Sequence, residues 1–214
     1  MRLPNAAHTS LPWRVHEIAG DFRVDDVWAL PTPGGPDDLH HLVTLMANGG
    51  KEPAERPGEA AAVEPGAAPE PGITSPVYRA LFAIRWRLGR WFGWDRPGSG
   101  LDGRVSSLRE RLPADLRAAP RGPDFRSVPF TSVYQLPNEW AAELANRTVH
   151  TVLHVGWVSD GAGGYRGQMA VLVKRNGRFG AVYMAAIRPF RHLGVYPALF
   201  RAIDRRWRAT TPRR

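Results

Sequence analysis

The last third of the chain alternates between apolar and polar positions in the way that is typical of β-strands. Over residues 148–158, one set of alternate positions holds Val149, Thr151, Leu153, Val155 and Trp157. A period of two places these side chains on one face of a strand and His150 and His154 on the other. Residues 165–174 and 179–187 predict two further strands, and Asn176 and Gly177 between them predict a tight hairpin turn.

A helical pattern follows these strands. Pro189 and Phe190 predict a corner, and residues 195–208 then carry apolar side chains at helical spacing, with charged residues on the opposite face. Pro197 suits the first turn of such a helix. The apolar positions are Val195, Tyr196, Leu199, Phe200, Ile203 and Trp207.

The N-terminal part of the chain is less regular. Residues 13–18 alternate loosely and predict a first strand. Residues 24–30 predict a short helix that ends at a run of prolines and glycines. Residues 37–46 predict a second short helix, with Asp37 or Asp38 as its N-terminal cap.

A segment of different composition interrupts the chain at about residues 47–76. It is rich in Pro, Ala, Glu and Gly and has almost no large apolar side chain, so it predicts a disordered insertion within a single domain spanning 1–214. Residues 77–94 then predict an aromatic helix. Arg85 projects from its apolar face near Phe82, and a guanidinium in such a place requires a partner.

The segments between this helix and the C-terminal strands predict shorter elements. Residues 105–112 predict a short helix broken by Pro113, and residues 130–134 predict a strand. Residues 138–145 either form a helix capped by Asn138 or begin the next strand. Separate helices and antiparallel strands predict an α+β fold. A curved antiparallel sheet wrapped around a long C-terminal helix is the helix-grip arrangement, which often encloses a cavity.

Composition limits the classes of function. The chain has eight Trp and no Cys, which excludes disulfides, Cys-based zinc sites and a thiol nucleophile. It shows no signal-peptide core and no apolar run long enough to span a membrane, so we expect a cytoplasmic protein. Net charge is +9, with 5 basic and 11 acidic residues over 1–74 and 13 basic and 4 acidic residues over 129–214. The excess of basic residues permits weak contact with an anionic membrane surface. We do not expect nucleic-acid binding, because the predicted sheet lacks interleaved aromatic residues.

Few residues are candidates for catalysis. His150 and His154 lie about 13 Å apart along a strand, at about 3.3 Å per residue, so they cannot share a metal ion and are expected to be half-exposed. We predict no metal site and no cofactor. The predicted strands after residue 147 contain no carboxylate, so chemistry would have to come from Tyr165, Tyr183, Arg85 and these two histidines.

Several residues together resemble a known bacterial family. They are Trp28, the stretch from Leu81 to Arg85, Gly177 to Gly180, Tyr183, and Pro189 with Phe190. This set is similar to the domain of unknown function 2867, which is similar in turn to the START-like, polyketide-cyclase-related (SRPBCC, Bet v 1-like) superfamily. The resemblance implies a helix-grip fold and brings no established activity with it. Where relatives are expected to have Trp after the Tyr and His after Pro-Phe, this chain has Met184 and Arg191.

The favoured hypothesis is a protein that binds a small, largely apolar or amphipathic ligand between the sheet and the C-terminal helix. Arg85 is the expected polar anchor, and the other expected lining residues are Phe82, Trp157, Tyr183, Leu199 and Ile203. One alternative is a cyclase- or hydrolase-like enzyme that uses Tyr, His and Arg in the same cavity. The other is a membrane-surface or protein-interaction module that uses the helices rich in Arg and Trp.

Overall fold

A six-stranded antiparallel sheet forms the centre of the molecule. A computed structural model describes residues 1–48, 105–126, 128–145, 149–175 and 191–211. The strands are β1 (Arg2–Leu3), β2 (Arg23–Ala29), β3 (Thr131–Gln135), β4 (Glu139–Ala145), β5 (Val149–Ser159) and β6 (Tyr165–Arg175). Their order across the sheet is β1-β2-β6-β5-β4-β3. The α+β prediction is therefore confirmed at the level of fold class.

Short helices connect and cover the strands. They are α1 (Ala6–Thr9), α2 (Val15–Ile18), α3 (Leu39–Ala47), a 3-10 turn (Leu108–Arg111) and α4 (Ala114–Ala118). The chain closes with a π-helical turn (Arg191–Val195) that runs into α5 (Tyr196–Thr210). Of the helices in the described ranges, none is long and apolar enough to cross a membrane.

Both faces of the sheet are buried. One face packs against α3 and α5 through a core that includes Trp140, Trp157, Met169, Ile203 and Trp207. We call this the α5 face. The opposite face, here the N-terminal face, packs against α1, α2, the 3-10 turn and α4. The alternation predicted for 148–158 is confirmed, because Val149, Val155 and Trp157 belong to the first core and Val152 belongs to the second.

Two predictions for the N-terminal part are wrong. Within residues 13–18, Val15–Ile18 form a helical turn rather than a strand, because Val15 and Ile18, three residues apart, are buried on the same side. Residues 24–30 form a strand rather than a helix. The pairing of β2 with β6 shifts by one residue between Val24 and Asp26, which is a β-bulge at Asp25. The bulge puts Val24 and Val27 on the same face, and this spacing of three resembles helical periodicity.

The remaining predictions that fall on described residues agree with the structure or lie close to it, whereas β1, α1 and α4 have no predicted counterpart. Helix α3 follows Asp38, although the Asp38 carboxylate accepts a hydrogen bond from Gly35 N (2.7 Å) instead of capping the helix. The 3-10 turn is shorter than the helix predicted for 105–112. Residues 139–145 form a strand, so the second of the two alternatives for residues 138–145 is correct. Several predictions lie outside the described residues: the insertion from residue 49 onwards, the aromatic helix 77–94, the hairpin at Asn176 and Gly177, the strand 179–187 and the corner at Pro189 and Phe190.

Candidate functional site

The predicted ligand-binding residues divide into two groups. Trp157 and Ile203 belong to the core on the α5 face, and Leu199 packs against it. Trp157 packs against Trp207 with ring centroids 5.9 Å apart, and its Nε1 donates to Gly35 O (2.8 Å). This part of the interface is filled by side chains. Phe82, Arg85 and Tyr183 lie outside the described residues.

A charged cluster lies on the α5 face where the π-helical turn meets β2. The bulge in β2 turns Asp26 towards this face, and Asp26 is fully buried. Arg191 is directed at it from the π turn and donates to Asp26 Oδ2, to Asp25 Oδ2 (2.9 Å) and to the hydroxyl of Tyr196 (3.0 Å). All three nitrogen atoms of the guanidinium thus donate hydrogen bonds within the protein.

Further groups complete the surroundings of Asp26. The Tyr196 hydroxyl donates to Asp26 Oδ2 (3.2 Å), and His192 Nε2 lies 2.9 Å from Asp26 Oδ1 without hydrogen-bond geometry. Burial raises the pKa of Tyr196, which therefore stays a neutral hydroxyl at physiological pH. Because a buried carboxylate without partners is very costly, this cluster fastens the start of α5 to the sheet.

An aromatic surface extends from the charged cluster. The Trp28 ring lies 5.6 Å from His192, 5.1 Å from Tyr196 and 5.2 Å from Phe200, measured between ring centroids. Trp28 and Phe200 are only partly buried, and Leu199 beside them is partly buried as well. The buried Nε1 of Trp28 has no hydrogen-bond partner in the described part of the chain. We call Trp28, Leu199 and Phe200 the aromatic platform. It is an apolar surface with one hydrogen-bond donor that no described residue uses.

The N-terminal face holds two buried Glu–His pairs. His150 Nε2 lies 2.8 Å from Glu143 Oε2, and His154 Nε2 lies 2.8 Å from Glu139 Oε2. In the register of β4 with β5, Glu139 is opposite Gly156 and Glu143 is opposite Val152, so both pairs are diagonal. The expectation of half-exposed histidines is wrong: both are almost completely buried, because α1, α2 and the 3-10 turn cover this face. Both histidines therefore point away from α5.

The pair at Glu143 has a full set of partners. Glu143 accepts hydrogen bonds from the Ser107 hydroxyl (2.5 Å), from Leu108 N (3.0 Å) and from His150. Burial alone raises the pKa of Glu143, but the hydrogen bonds from His150, Ser107 and Leu108 more than offset it, and the pKa lies below its usual value. Glu143 is therefore an ionised structural group that ties the 3-10 turn to the sheet.

The pair at Glu139 continues into a chain of side chains. Glu139 Oε1 accepts from Arg14 N (2.9 Å), and on the other side of His154 the Nδ1 atom lies 3.0 Å from His8 Nε2. His8 belongs to α1 and is fully buried. Burial lowers the pKa of His8 to about 3, with His154 and His16 acting in the same direction, so His8 is neutral. We call Glu139, His154 and His8 the buried relay.

An open groove of about 650 Å³ lies elsewhere on the surface. Its polar side chains include Asp37, His40 and Gln135, and Gln135 Nε2 lies 3.0 Å from His40 Nδ1. The lining residues are Asp37, His40, Pro120, Gly122, Pro123, Gln135, Leu136 and Pro137. Because His40 and Gln135 already pair with each other, the groove is a weaker candidate than the aromatic platform.

Sequence reasoning missed Asp26, Glu139 and Glu143. A usable signal existed for the two glutamates: Glu139 and Glu143 are four apart, as are His150 and His154. On two antiparallel strands, this spacing lets each acid meet one histidine. The sequence pattern does not reveal this signal, because residues 138–145 are compatible with a helix as well as with a strand. Asp26 gave no such signal, because its partners Arg191 and Tyr196 are more than 160 residues away.

The fold and the buried charged groups define an α+β protein with helices on both faces of an antiparallel sheet. The chain belongs to the family described as Protein of unknown function (DUF2867), whose family model matches residues 18–198. This confirms the resemblance to that family noted from the sequence. The match includes Asp26, Trp28 and Arg191, whereas His8 lies before it. No curated protein and no solved structure matches the chain.

Proposed function

We propose that the protein binds a small, largely apolar ligand that carries a hydrogen-bond acceptor, on the α5 face at the aromatic platform. The observation that carries this proposal is the buried Nε1 of Trp28, which has no hydrogen-bond partner among the described residues and lies within a partly exposed apolar surface. A ligand with an apolar body would stack on Trp28 and Phe200, and its acceptor would take the indole N–H.

The charged cluster holds the aromatic platform in place. Arg191 already donates to Asp25, Asp26 and Tyr196, so it is not free to hold an anionic ligand. It instead holds Tyr196, and Tyr196 stacks on Phe200 with ring centroids 5.9 Å apart. A platform held in this way loses little conformational freedom when a ligand binds, which favours affinity.

A helix-grip fold, which is more specific than the α+β class, would agree with this proposal. In such a fold the ligand lies between the sheet and the C-terminal helix, and α5 does pack on one face of the sheet. We expect Phe82, Arg85 and Tyr183 to complete the site, with Arg85 as a second polar anchor. His150 and His154 point away from α5, so the enzyme alternative that places them in the same cavity is not favoured by their position.

Two experiments test the ligand proposal. Native mass spectrometry of protein purified from its own host, without refolding, should show an excess mass that disappears on denaturation. A titration with Nile red, a neutral apolar dye with a carbonyl acceptor, should show enhanced fluorescence. F200A should weaken dye binding about five-fold, because a lost ring contact costs about 1 kcal/mol.

Matched variants separate the two parts of the proposed site. Trp28→Phe keeps a ring but removes the N–H, and we expect about five-fold weaker binding because one hydrogen bond is worth about 1 kcal/mol. Arg205→Ala, on the exposed side of α5, should bind the dye like the wild type. The proposal is wrong if no ligand copurifies and all four proteins bind Nile red equally.

A further inference from the structure

The buried relay fixes the positions of its own protons. Glu139 Oε1 accepts from Arg14 N, and Oε2 faces His154 Nε2 at 2.8 Å, so an ionised Glu139 requires the proton on His154 Nε2. Burial lowers the pKa of His154, which is therefore neutral and has a lone pair on Nδ1. The 3.0 Å contact with His8 Nε2 then requires the proton on that atom. These tautomers follow from the hydrogen-bond network.

The relay ends at an acceptor that nothing in the described residues satisfies. With its proton on Nε2, neutral His8 has a lone pair on Nδ1, and Nδ1 is buried without a partner. Leaving such a group unpaired costs about 1–3 kcal/mol. The acceptor is also stronger than that of an isolated imidazole, because the carboxylate at the other end of the relay polarises both rings.

Other unpaired polar atoms lie around the same place. Trp13 Nε1, His16 Nε2 and Gln168 Oε1 are buried without partners in the described ranges. The His8 ring lies 4.9 Å from His16 and 6.3 Å from Trp13, between ring centroids. Gln168 Nε2 donates to Ala7 O (3.3 Å), which brings its amide next to His8.

The register of the sheet explains why these groups meet. Glu139, Gly156 and Gln168 are directly opposite one another on β4, β5 and β6. Gly156 has no side chain, and the Trp13 ring occupies the space where one would be, with ring carbons 2.6 Å from the position of a Cβ. Trp13 therefore lies over Gly156 between the two polar side chains. Several buried polar groups that have no partner among the described residues, gathered in one place, indicate a site where another molecule completes the hydrogen bonds.

We propose that this cluster is a binding site for one molecule with an O–H group, which donates to His8 Nδ1. The same molecule would accept from Trp13 Nε1 and, if it has a second hydrogen, donate to Gln168 Oε1. A water molecule has this pattern of donors and acceptors, and so does the hydroxyl of a small alcohol ligand. The site is separate from the aromatic platform, because it lies on the opposite face of the sheet.

A crystal structure of the full chain at 1.5 Å or better tests the site directly. We expect density at about 2.7–3.2 Å from His8 Nδ1, within hydrogen-bond distance. A spherical peak at this position identifies water. Extended density, with an excess mass in native mass spectrometry that Gln168→Met removes and Trp28→Phe retains, identifies an organic hydroxyl and distinguishes it from a ligand at the aromatic platform. No density at Nδ1 overturns the proposal.

Side-chain ¹⁵N NMR and variants provide a second test of the proposed site. His8 should carry its proton on Nε2, with the Nδ1 resonance shifted by an accepted hydrogen bond; a proton on Nδ1 also overturns the proposal. Gln168→Met, similar in shape, should reduce the occupancy of the density and shift the His8 Nδ1 resonance. His41→Gln, in α3 on the other face of the sheet, should leave both unchanged. If Gln168→Met fails to fold, Trp13→Phe removes the donor instead and should have the same two effects.

Discussion

At the scale of the residue, the chain stabilises buried charge by surrounding it with hydrogen-bond partners. Glu143 shows the principle, because a hydroxyl, a backbone N–H and an imidazole all point at one carboxylate. An ionised group in an apolar interior is tolerated only when its lone pairs are used in this way. The same residue type at an exposed position, such as Glu110 in the 3-10 turn, has no such requirement.

Replacing Glu143 should therefore be costly. Glu143→Gln keeps the shape but presents an NH₂ group to donors, and we expect the free energy of unfolding to fall by about 2–3 kcal/mol. Urea unfolding monitored by tryptophan fluorescence measures this change. Glu110→Gln is the control and should change stability by less than about 0.5 kcal/mol. Equal effects of the two substitutions would contradict the structural role of Glu143.

The buried histidines predict the dependence of stability on pH. The pKa of His8 is lowered to about 3 in the folded state by burial, and an unfolded histidine has an ordinary value of 6.5. The unfolded state therefore binds more protons between these values, so stability is fully present above pH 6.5 and falls as the pH decreases. The fall per pH unit is about 1.4 kcal/mol for each such histidine.

Urea unfolding at pH 7.5 and at pH 5 checks this prediction. We expect the wild type to lose stability over this interval, with His154 acting in the same direction because burial lowers its pKa as well. His8→Gln should be less stable at pH 7.5 but should show a shallower dependence on pH. A wild-type stability that is constant from pH 7.5 to 5 would contradict neutral, buried histidines.

At the scale of the element, a single β-bulge decides what β2 does. The extra residue at Asp25 changes the faces of the residues that follow, so that Asp26 and Trp28 turn towards α5 while Val27 stays in the opposite core. The π turn then meets this strand through Arg191, and α5 starts from the π turn. The position of the C-terminal helix thus depends on one charged contact as well as on its apolar face.

Breaking this contact should detach the start of α5. Arg191→Met leaves Asp26 buried without its main partner, and we expect a loss of about 3–5 kcal/mol. The double variant Arg191→Met with Asp26→Asn should recover part of the loss, because the uncompensated charge is gone. Urea unfolding measures both. Arg208→Met removes an exposed pair with Asp204 and should cost less than about 1 kcal/mol.

At the scale of the whole molecule, the N-terminal segment is part of the core. Helices α1 and α2 cover one face of the sheet, and Trp13 packs directly on Gly156, far away in sequence. Asn5 Nδ2 also donates to Val24 O (2.8 Å), which fixes α1 against β2. The N-terminal segment thus buries part of one face of the sheet, and the C-terminal helix α5 buries part of the other.

Gly156→Ala tests this packing across the molecule. The new methyl group would lie 2.6 Å from carbons of the Trp13 ring, which must move, and we expect a loss of about 1–3 kcal/mol. Gly194→Ala is the matched control, because a Cβ there meets no atom within 4 Å. Thermal or urea unfolding of both variants measures the difference. A neutral Gly156→Ala would show that the N-terminal segment is not held against β5.

The sequence by itself determined the class of fold and three of the six described strands. Strands β3, β5 and β6 and helices α3 and α5 were predictable, because their apolar side chains repeat with an undisturbed period. Family membership was also readable from Trp28 and the turn residues. The sequence pattern predicts a helix where β2 lies and a strand where α2 lies. The bulge in β2 gives a spacing of apolar residues like that of a helix, and α2 is a single turn, too short for its periodicity to be recognised.

Only the tertiary structure decided which polar residues meet. The pairing of Asp26 with Arg191, and of His8 with His154, joins positions more than 140 residues apart, and local periodicity contains no information on such contacts. The burial of His150 and His154 likewise depends on α1 and α2 covering a face that the strand pattern alone leaves open to solvent. Periodicity specifies the face of each element, whereas the neighbour across that face is specified by packing of the whole chain.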